Sequence, residues 1–243
     1  MRIMPQSQRF IRVSMRRITI AKLRAYFNPE DVRWRMQKRI RKLLKKIRNK
    51  QLTNKRFTII SNNCWGGVAY EYYDVIKQSP TVGMFFMADD YVKFCKNIRH
   101  YINTQLTFID PLLSRHYDYL KDLNAFGSYP VGKLDDVEIM FLHFTSPEEA
   151  REKWIRRCKR INWDKLIFKF NDQNGCTNAD AKAFLDLPYK NKLFFTIHKD
   201  WALSAYKDCY IVKQRSKEKN ITASHEPYGK NRYFDLTDMI NNL

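Results

Sequence analysis

The chain has 243 residues, 44% of them apolar and 14% aromatic, with a formal charge of +20. That apolar share supports a buried core and rules out disorder throughout. No apolar run reaches the roughly 18 residues that crossing a bilayer needs, and the five cysteines (Cys64, Cys95, Cys158, Cys176 and Cys209) form no CxxC pair, so neither a zinc knuckle nor a disulfide framework is expected.

The charge is unevenly spread. Residues 1–50 carry seventeen Lys or Arg against Glu30 and Asp31, a balance of +15, which leaves +5 for residues 51–243. The N-terminus has neither an uninterrupted apolar stretch nor a small-residue cleavage site, so a cytoplasmic protein is expected. Asn28-Pro29-Glu30-Asp31 reads as a helix start, with Asn as N-cap, Pro in the first turn and acids at the positive end of the dipole. The helix that follows sets Met36, Ile40, Leu43, Leu44 and Ile47 on one stripe among Lys and Arg. Such a basic helical arm, residues 1–50, suits an anionic membrane surface, and equally a partner protein or plain solvent. Nucleic acid is disfavoured, because the core carries no aromatic–basic strand signature.

From Arg56 the pattern alternates. Strands are expected at Phe57–Ile60, Thr81–Met87, Leu106–Ile109, Val137–Phe144, Leu166–Phe170, Leu193–Ile197 and Tyr210–Val212. Helices are expected after Gly67 to about Gln78, over Ala88–Asn103, from Ser146 to near Arg160, over Ala179–Leu187, and from about Asp235. Ser146-Pro147-Glu148-Glu149 is a capping box with Pro at the first helical position. The fold class expected is α/β, with mainly parallel sheet in a three-layer Rossmann-like arrangement. Residues 51–243 form its core, with the option of two small halves split near 125–135.

Ligands of parallel α/β sheets sit beyond the carboxyl ends of the strands. That rule marks Ser61–Gly67, Met87–Asp90, Asp110, His143–Ser146, Asn171–Asp172 and His198–Asp200. Two of only seven glycines, Gly66 and Gly67, stand together after the first strand, where free amides can face a phosphate. Asn62 and Asn63 offer donors and acceptors for hydroxyls, and Trp65 a ring for stacking, against the plainer reading of a tight turn with a core tryptophan. Cys64, near a helix N-terminus, is a candidate nucleophile, its alternative being a small buried residue. His143 is a candidate general base, its alternative being a core histidine bonded to backbone; His198 is a substrate contact at the analogous strand end, and Asp89 a further substrate contact beside Asp90, against the plainer reading of two acids at a helix dipole. Asp135, Asp136 and Glu138 make no loop DxD triplet, and neither a metal ligand set nor a cofactor motif is assigned. Arg151, Arg156, Arg157 and Lys159 make the helix after Ser146 basic.

Asn63-Cys64-Trp65-Gly66-Gly67, Ser79-Pro80-Thr81-Val82-Gly83, Asp90-Tyr91-Val92-Lys93-Phe94, Tyr129-Pro130-Val131-Gly132, Leu142-His143-Phe144, Ser146-Pro147-Glu148-Glu149-Ala150, Trp154 and Arg160-Ile161-Asn162 occur in this order. In these segments, over roughly Arg56 to Thr196, the chain resembles the bacterial domain-of-unknown-function family 1919, whose members are often labelled exopolysaccharide or capsular polysaccharide biosynthesis proteins. The resemblance implies an α/β fold and a link to surface-polysaccharide assembly, and carries no catalytic residue over. The expectation is a transferase moving a sugar or acyl group from a nucleotide sugar or other activated donor to a glycan precursor, held at the inner face of the membrane by the basic arm. The alternative is a noncatalytic nucleotide-sugar- or polysaccharide-binding accessory protein.

Overall fold

A computed structural model describes residues 29–123, 126–213, 219–221 and 223–243; Asn28 and the segment before it lie outside the described residues. The chain separates into two units, Met1–Arg48 and Asn49–Leu243. All that is described of the first belongs to helix α1 (Pro29–Gln51). Its apolar stripe of Met36, Ile40, Leu43, Leu44 and Ile47 stands 39–58% exposed. No helix among the described residues is long and apolar enough to cross a membrane.

The second unit is mixed α/β. Its strands are β1 (Thr58–Ser61), β2 (Thr107–Ile109), β3 (Val131–Leu134), β4 (Val137–Met140), β5 (Leu166–Asn171), β6 (Lys192–Thr196) and β7 (Cys209–Ile211). The helices that cover them are α2 (Trp65–Tyr73), α3 (Ala88–Lys96), α4 (Ile98–Asn103), α5 (Tyr117–Leu120), α6 (Pro147–Cys158), α7 (Asn178–Leu185) and α8 (Leu236–Asn241). Strands β1, β5, β6 and β7 form a parallel sheet in that order, with Ile60 opposite Phe168 and Phe170 opposite Phe194. The sheet is apolar on both faces, which is why β1, β5 and β6 read as apolar runs. Side chains alternate. Ile60, Phe168, Phe170 and Phe194 pack with Tyr91, Phe94 and Phe184 of α3 and α7. Ile59, Ile167, Leu193 and Phe195 pack with Trp65 and Tyr70 of α2 and with Leu236 and Ile240 of α8.

Strands β2, β3 and β4 form a separate antiparallel sheet. Four of the seven described strands are parallel, in line with the expectation of mainly parallel sheet, and β2, β3 and β4 are the antiparallel remainder. Among the described residues the parallel sheet shows no reversal of strand order, the feature that marks the crevice of a doubly wound fold.

The expected strand at Thr81–Met87 reduces to one antiparallel bridge from Phe85 to Met140, because Gly83 turns the chain at φ +85°. The helix expected over Ala88–Asn103 breaks at Asn97 (φ −134°, ψ 48°) into α3 and α4. Helix α2 stops at Tyr73, well before Gln78, with Asp74 left-handed at its end. The strand expected to reach Phe144 ends at Met140. Helix α6 begins where its sequence says. Ser146 Oγ accepts from Glu149 N at 3.2 Å, a cap worth about 1 kcal/mol, while Glu149 Oε2 accepts from Thr145 N at 3.0 Å.

Candidate functional site at the carboxyl edge of the parallel sheet

The glycine pair after β1 serves packing. A Cβ on Gly66 would lie 3.3 Å from both Ile59 Cγ2 and Ser61 Cβ, and one on Gly67 3.0 Å from Val82 Cγ1. Gly66 lets α2 lie close against β1 and Gly67 lets it lie close against Val82, and side chains fill the bend. Trp65 is 2% exposed; its ring meets Phe195 edge-on at 5.8 Å and its Nε1 donates to Pro227 O at 2.9 Å. The stacking surface expected of Trp65 is therefore spent in the core. Cys64 is half-buried just before α2, and burial pushes its thiol up, outweighing the pull of Lys169, so the lowering expected at a helix N-terminus does not occur.

Asn62 and Asn63 are buried in a polar cluster that sequence reasoning did not assemble. Lys169 of β5 and Glu226 form an ion pair whose side chains are wholly buried. Lys169 Nζ also donates to Asn62 Oδ1 (3.1 Å) and Asn63 Oδ1 (2.9 Å). Glu226 accepts from Asn63 Nδ2 (3.1 Å) and Asn171 Nδ2 (2.7 Å), and Asn62 Nδ2 donates to Asn171 Oδ1 at 2.7 Å. Gln173 Oε1 closes the ring by accepting from Asn63 (3.1 Å) and Asn171 (2.8 Å). Burial lowers Lys169 and raises Glu226, in each case against the attraction of the other. Every amide here has a partner, which is how a charge pair survives in a dry interior.

Asp172, also fully buried, latches the C-terminal segment onto the same edge. Its Oδ1 accepts from Ile221 N (2.7 Å), and its Oδ2 from Ile197 N (2.8 Å) and Thr196 Oγ1 (2.9 Å). His198 stands beside the latch, its Nε2 3.9 Å from Asp172 Oδ2 and 3.3 Å from Asn220 Oδ1, with its ring stacked on Trp201 at 4.3 Å.

A second cluster opens the neighbouring helix. Ala88 N, at the start of α3, donates to Asn174 O just past β5, while Cys95 O, near the other end of α3, accepts from Tyr189 just ahead of β6. Helix α3 thus begins at the carboxyl edge of the sheet and runs towards the amino edge. In its first turn Asp90 is fully buried, ion-paired with Arg115, and 2.7 Å from His116 Nε2. Glu138 N also donates to Asp90, at 3.2 Å, and the buried Glu138 carboxylate accepts from Ser114 Oγ (2.5 Å) and Arg115 N (3.2 Å). Arg115 Nε donates to the same nitrogen at 3.1 Å, so His116 Nε2 stands between a carboxylate that only accepts and a guanidinium that only donates. Asp89 is exposed, 3.6 Å from Arg115. Donor atoms of Asp89, Asp90 and His116 lie within 4.8 Å of one another, as around a divalent cation, but Arg115 already supplies positive charge to both carboxylates.

His143 does not join either cluster. It follows β4, an antiparallel strand, so the rule for parallel strand ends does not apply to it. It is exposed, its N–H donates to Gly83 O at 3.0 Å, and no described residue hydrogen-bonds its ring. Asp135 faces His100 at 3.2 Å and Asp136 binds Lys93 and Tyr101, both at 2.8 Å, away from Glu138's partners. The expected residues that share the carboxyl edge are thus Asn62, Asn63, Cys64, Asp89 and His198. The one available signal for Lys169 was a charge inside the apolar run Leu166–Phe170, and for His116 the pair Arg115-His116 in an otherwise featureless stretch.

A family model described as a domain of unknown function, DUF1919, matches residues 35–243. A relative from Haemophilus influenzae, named there only as an uncharacterized protein, is 34% identical over 218 residues, covering 88% of this chain and 97% of its own.

Proposed function

Because the chain belongs to the DUF1919 family, whose description names no activity, we propose a function from its own residues: a transferase that moves a sugar or acyl group from an activated donor to a hydroxyl of a glycan precursor at the carboxyl edge of the parallel sheet. The observation that carries this reading is the imidazole of His116 held 2.7 Å from a fully buried carboxylate, Asp90. In the proposed state Nε2 carries its proton towards Asp90, which supports the positive charge that forms when Nδ1 takes up a second proton. In the proposed step Nδ1 removes the acceptor hydroxyl proton, the oxygen bonds to the donor's transferred carbon, and the bond to the leaving group breaks with its electron pair. Leu112, Leu113, Tyr117 and Tyr119, all exposed, flank His116 and offer apolar faces to a sugar ring or lipid chain. The association with surface polysaccharide rests on the motifs shared over Arg56–Thr196.

The test is complementation. In a bacterium that carries the gene, its loss is expected to alter the surface glycan, with the wild type restoring it and His116→Gln failing while still folded and still binding donor. Restoration by His116→Gln would overturn the transferase reading in favour of a noncatalytic glycan- or nucleotide-sugar-binding accessory. The saturated amides of Asn62 and Asn63 and the raised thiol of Cys64 favour that second reading. An unchanged glycan after gene loss removes both.

Residues 29–51 fit peripheral attachment to an anionic membrane, since the exposed apolar stripe of α1 is flanked by Lys and Arg. The full chain is expected to sediment with phosphatidylglycerol vesicles and not with phosphatidylcholine vesicles, and Leu43→Glu with Ile47→Glu to abolish it. Equal sedimentation of variant and wild type would refute the attachment.

A further inference from the structure

A large cavity lies at the opposite edge of the sheet. It measures about 870 Å³ and opens beside the amino end of β1, lined by Lys55, Arg56, Lys159, Arg160, the apolar Ile76 and Trp163. Asp74 and Asp164 are its two acids. That volume suits a ligand the size of a nucleotide or sugar phosphate.

We propose that this groove binds a ring compound carrying a mono- or diphosphate, with the ring against Trp163 and the phosphate among Lys55, Arg56, Lys159 and Arg160. Three features support it. The charge is available: among the described residues none of the four cations pairs with a carboxylate; Lys55 donates to Asn49 Oδ1 at 2.8 Å and Arg160 reaches only Lys77 O at 3.5 Å. The backbone under the cations is fixed in advance, because Gln78 Nε2 donates to Lys55 O (3.1 Å) and Asn162 Nδ2 to Arg56 O (2.7 Å). Asn162 N in turn donates to Thr58 Oγ1 at 2.9 Å, which holds the loop that carries Trp163 against β1. Preformed positions lower the ordering cost of binding.

The aromatic wall is equally specific. Trp163 is half-buried and also lines two smaller cavities of about 420 and 490 Å³. The Arg99 guanidinium, which does not line the large groove, covers the Trp163 ring at 4.2 Å. Ile76, 68% exposed, supplies an apolar wall. An aromatic ring with cations around it is how sequence-tolerant sites hold a base or sugar beside a phosphate. The site is independent of the carboxyl edge and stands whether or not His116 acts as a base.

The test is calorimetric titration of the full chain with uridine diphosphate, glucose 1-phosphate and inorganic pyrophosphate. Saturable binding of either ring compound is expected, and which one binds tells whether the ring is a base or a sugar. Arg56→Ala with Arg160→Ala should weaken the bound ring compound and pyrophosphate by about ten-fold or more. Trp163→Ala should weaken only the ring compound, by about ten-fold, and Trp163→Phe should restore most of it. Cys64→Ser, at the other edge, should change nothing. Affinities that ignore Arg56, Arg160 and Trp163, or no saturable heat with either ring compound, would overturn the proposal.

Discussion

Replacing Lys169 with Met should lower the stability of the second unit by about 3–5 kcal/mol, because it strands the Glu226 carboxylate in a wholly buried site. The asymmetry between breaking and replacing the pair is the informative part. Adding Glu226→Leu removes the orphaned charge, and the double variant should recover at least half of the loss. Denaturant midpoints at constant m-value measure both. A Lys169→Met loss under about 1 kcal/mol would mean that the pair is not desolvated as described.

The same pair sets a pH signature. Burial raises Glu226 above its usual 4.5, so its contribution is full below 4.5 and is lost as pH rises through the raised value. Burial lowers Lys169 from 10.5, so the folded state releases that proton early, and stability returns as pH climbs from the lowered value towards 10.5. The charged pair is thus least favourable between those limits. The double variant, lacking both slopes, should compare best with the wild type at intermediate pH and worst at the extremes. A pH-independent difference would count against this account.

Asp172→Ala is the second large effect. It leaves the amides of Ile197 and Ile221 and the Thr196 hydroxyl without their acceptor. At about 1–3 kcal/mol for each buried group left unsatisfied, the expected loss is roughly 3 kcal/mol or more. Because Ile221 belongs to the stretch that leads to Glu226, the loss should be local first: proteolysis or hydrogen exchange should open residues 219–221 and 223–226 well below the global transition. Protection of that segment equal to the wild type would show that the latch is not what holds it.

The parallel sheet was legible because β1, β5 and β6 are short runs buried on both faces, and Ser146 and Asp235 mark helix starts by side chains that cap them. Direction was not legible. Nothing in Thr107–Ile109 or Val137–Met140 tells an antiparallel partner from a parallel one, so His143 was assigned to the wrong kind of strand end. Asn62, Asn63 and Cys64 were found at the carboxyl edge, but the reason given, an open glycine turn, is replaced by close packing at Gly66 and Gly67. The charged centre escaped notice because its members lie far apart in sequence. Lys169 sits in an apolar strand, Glu226 in a stretch without periodicity, and only folding brings them together.

That separation matters during synthesis. A ribosome releases β1, β5 and β6 well before Glu226, so a nascent chain carries a lone ammonium where the sheet is meant to close. Until the final stretch emerges, the emerging polypeptide has reason to stay open at β5, and a prematurely terminated product would keep that defect permanently, marking itself for chaperones and proteases.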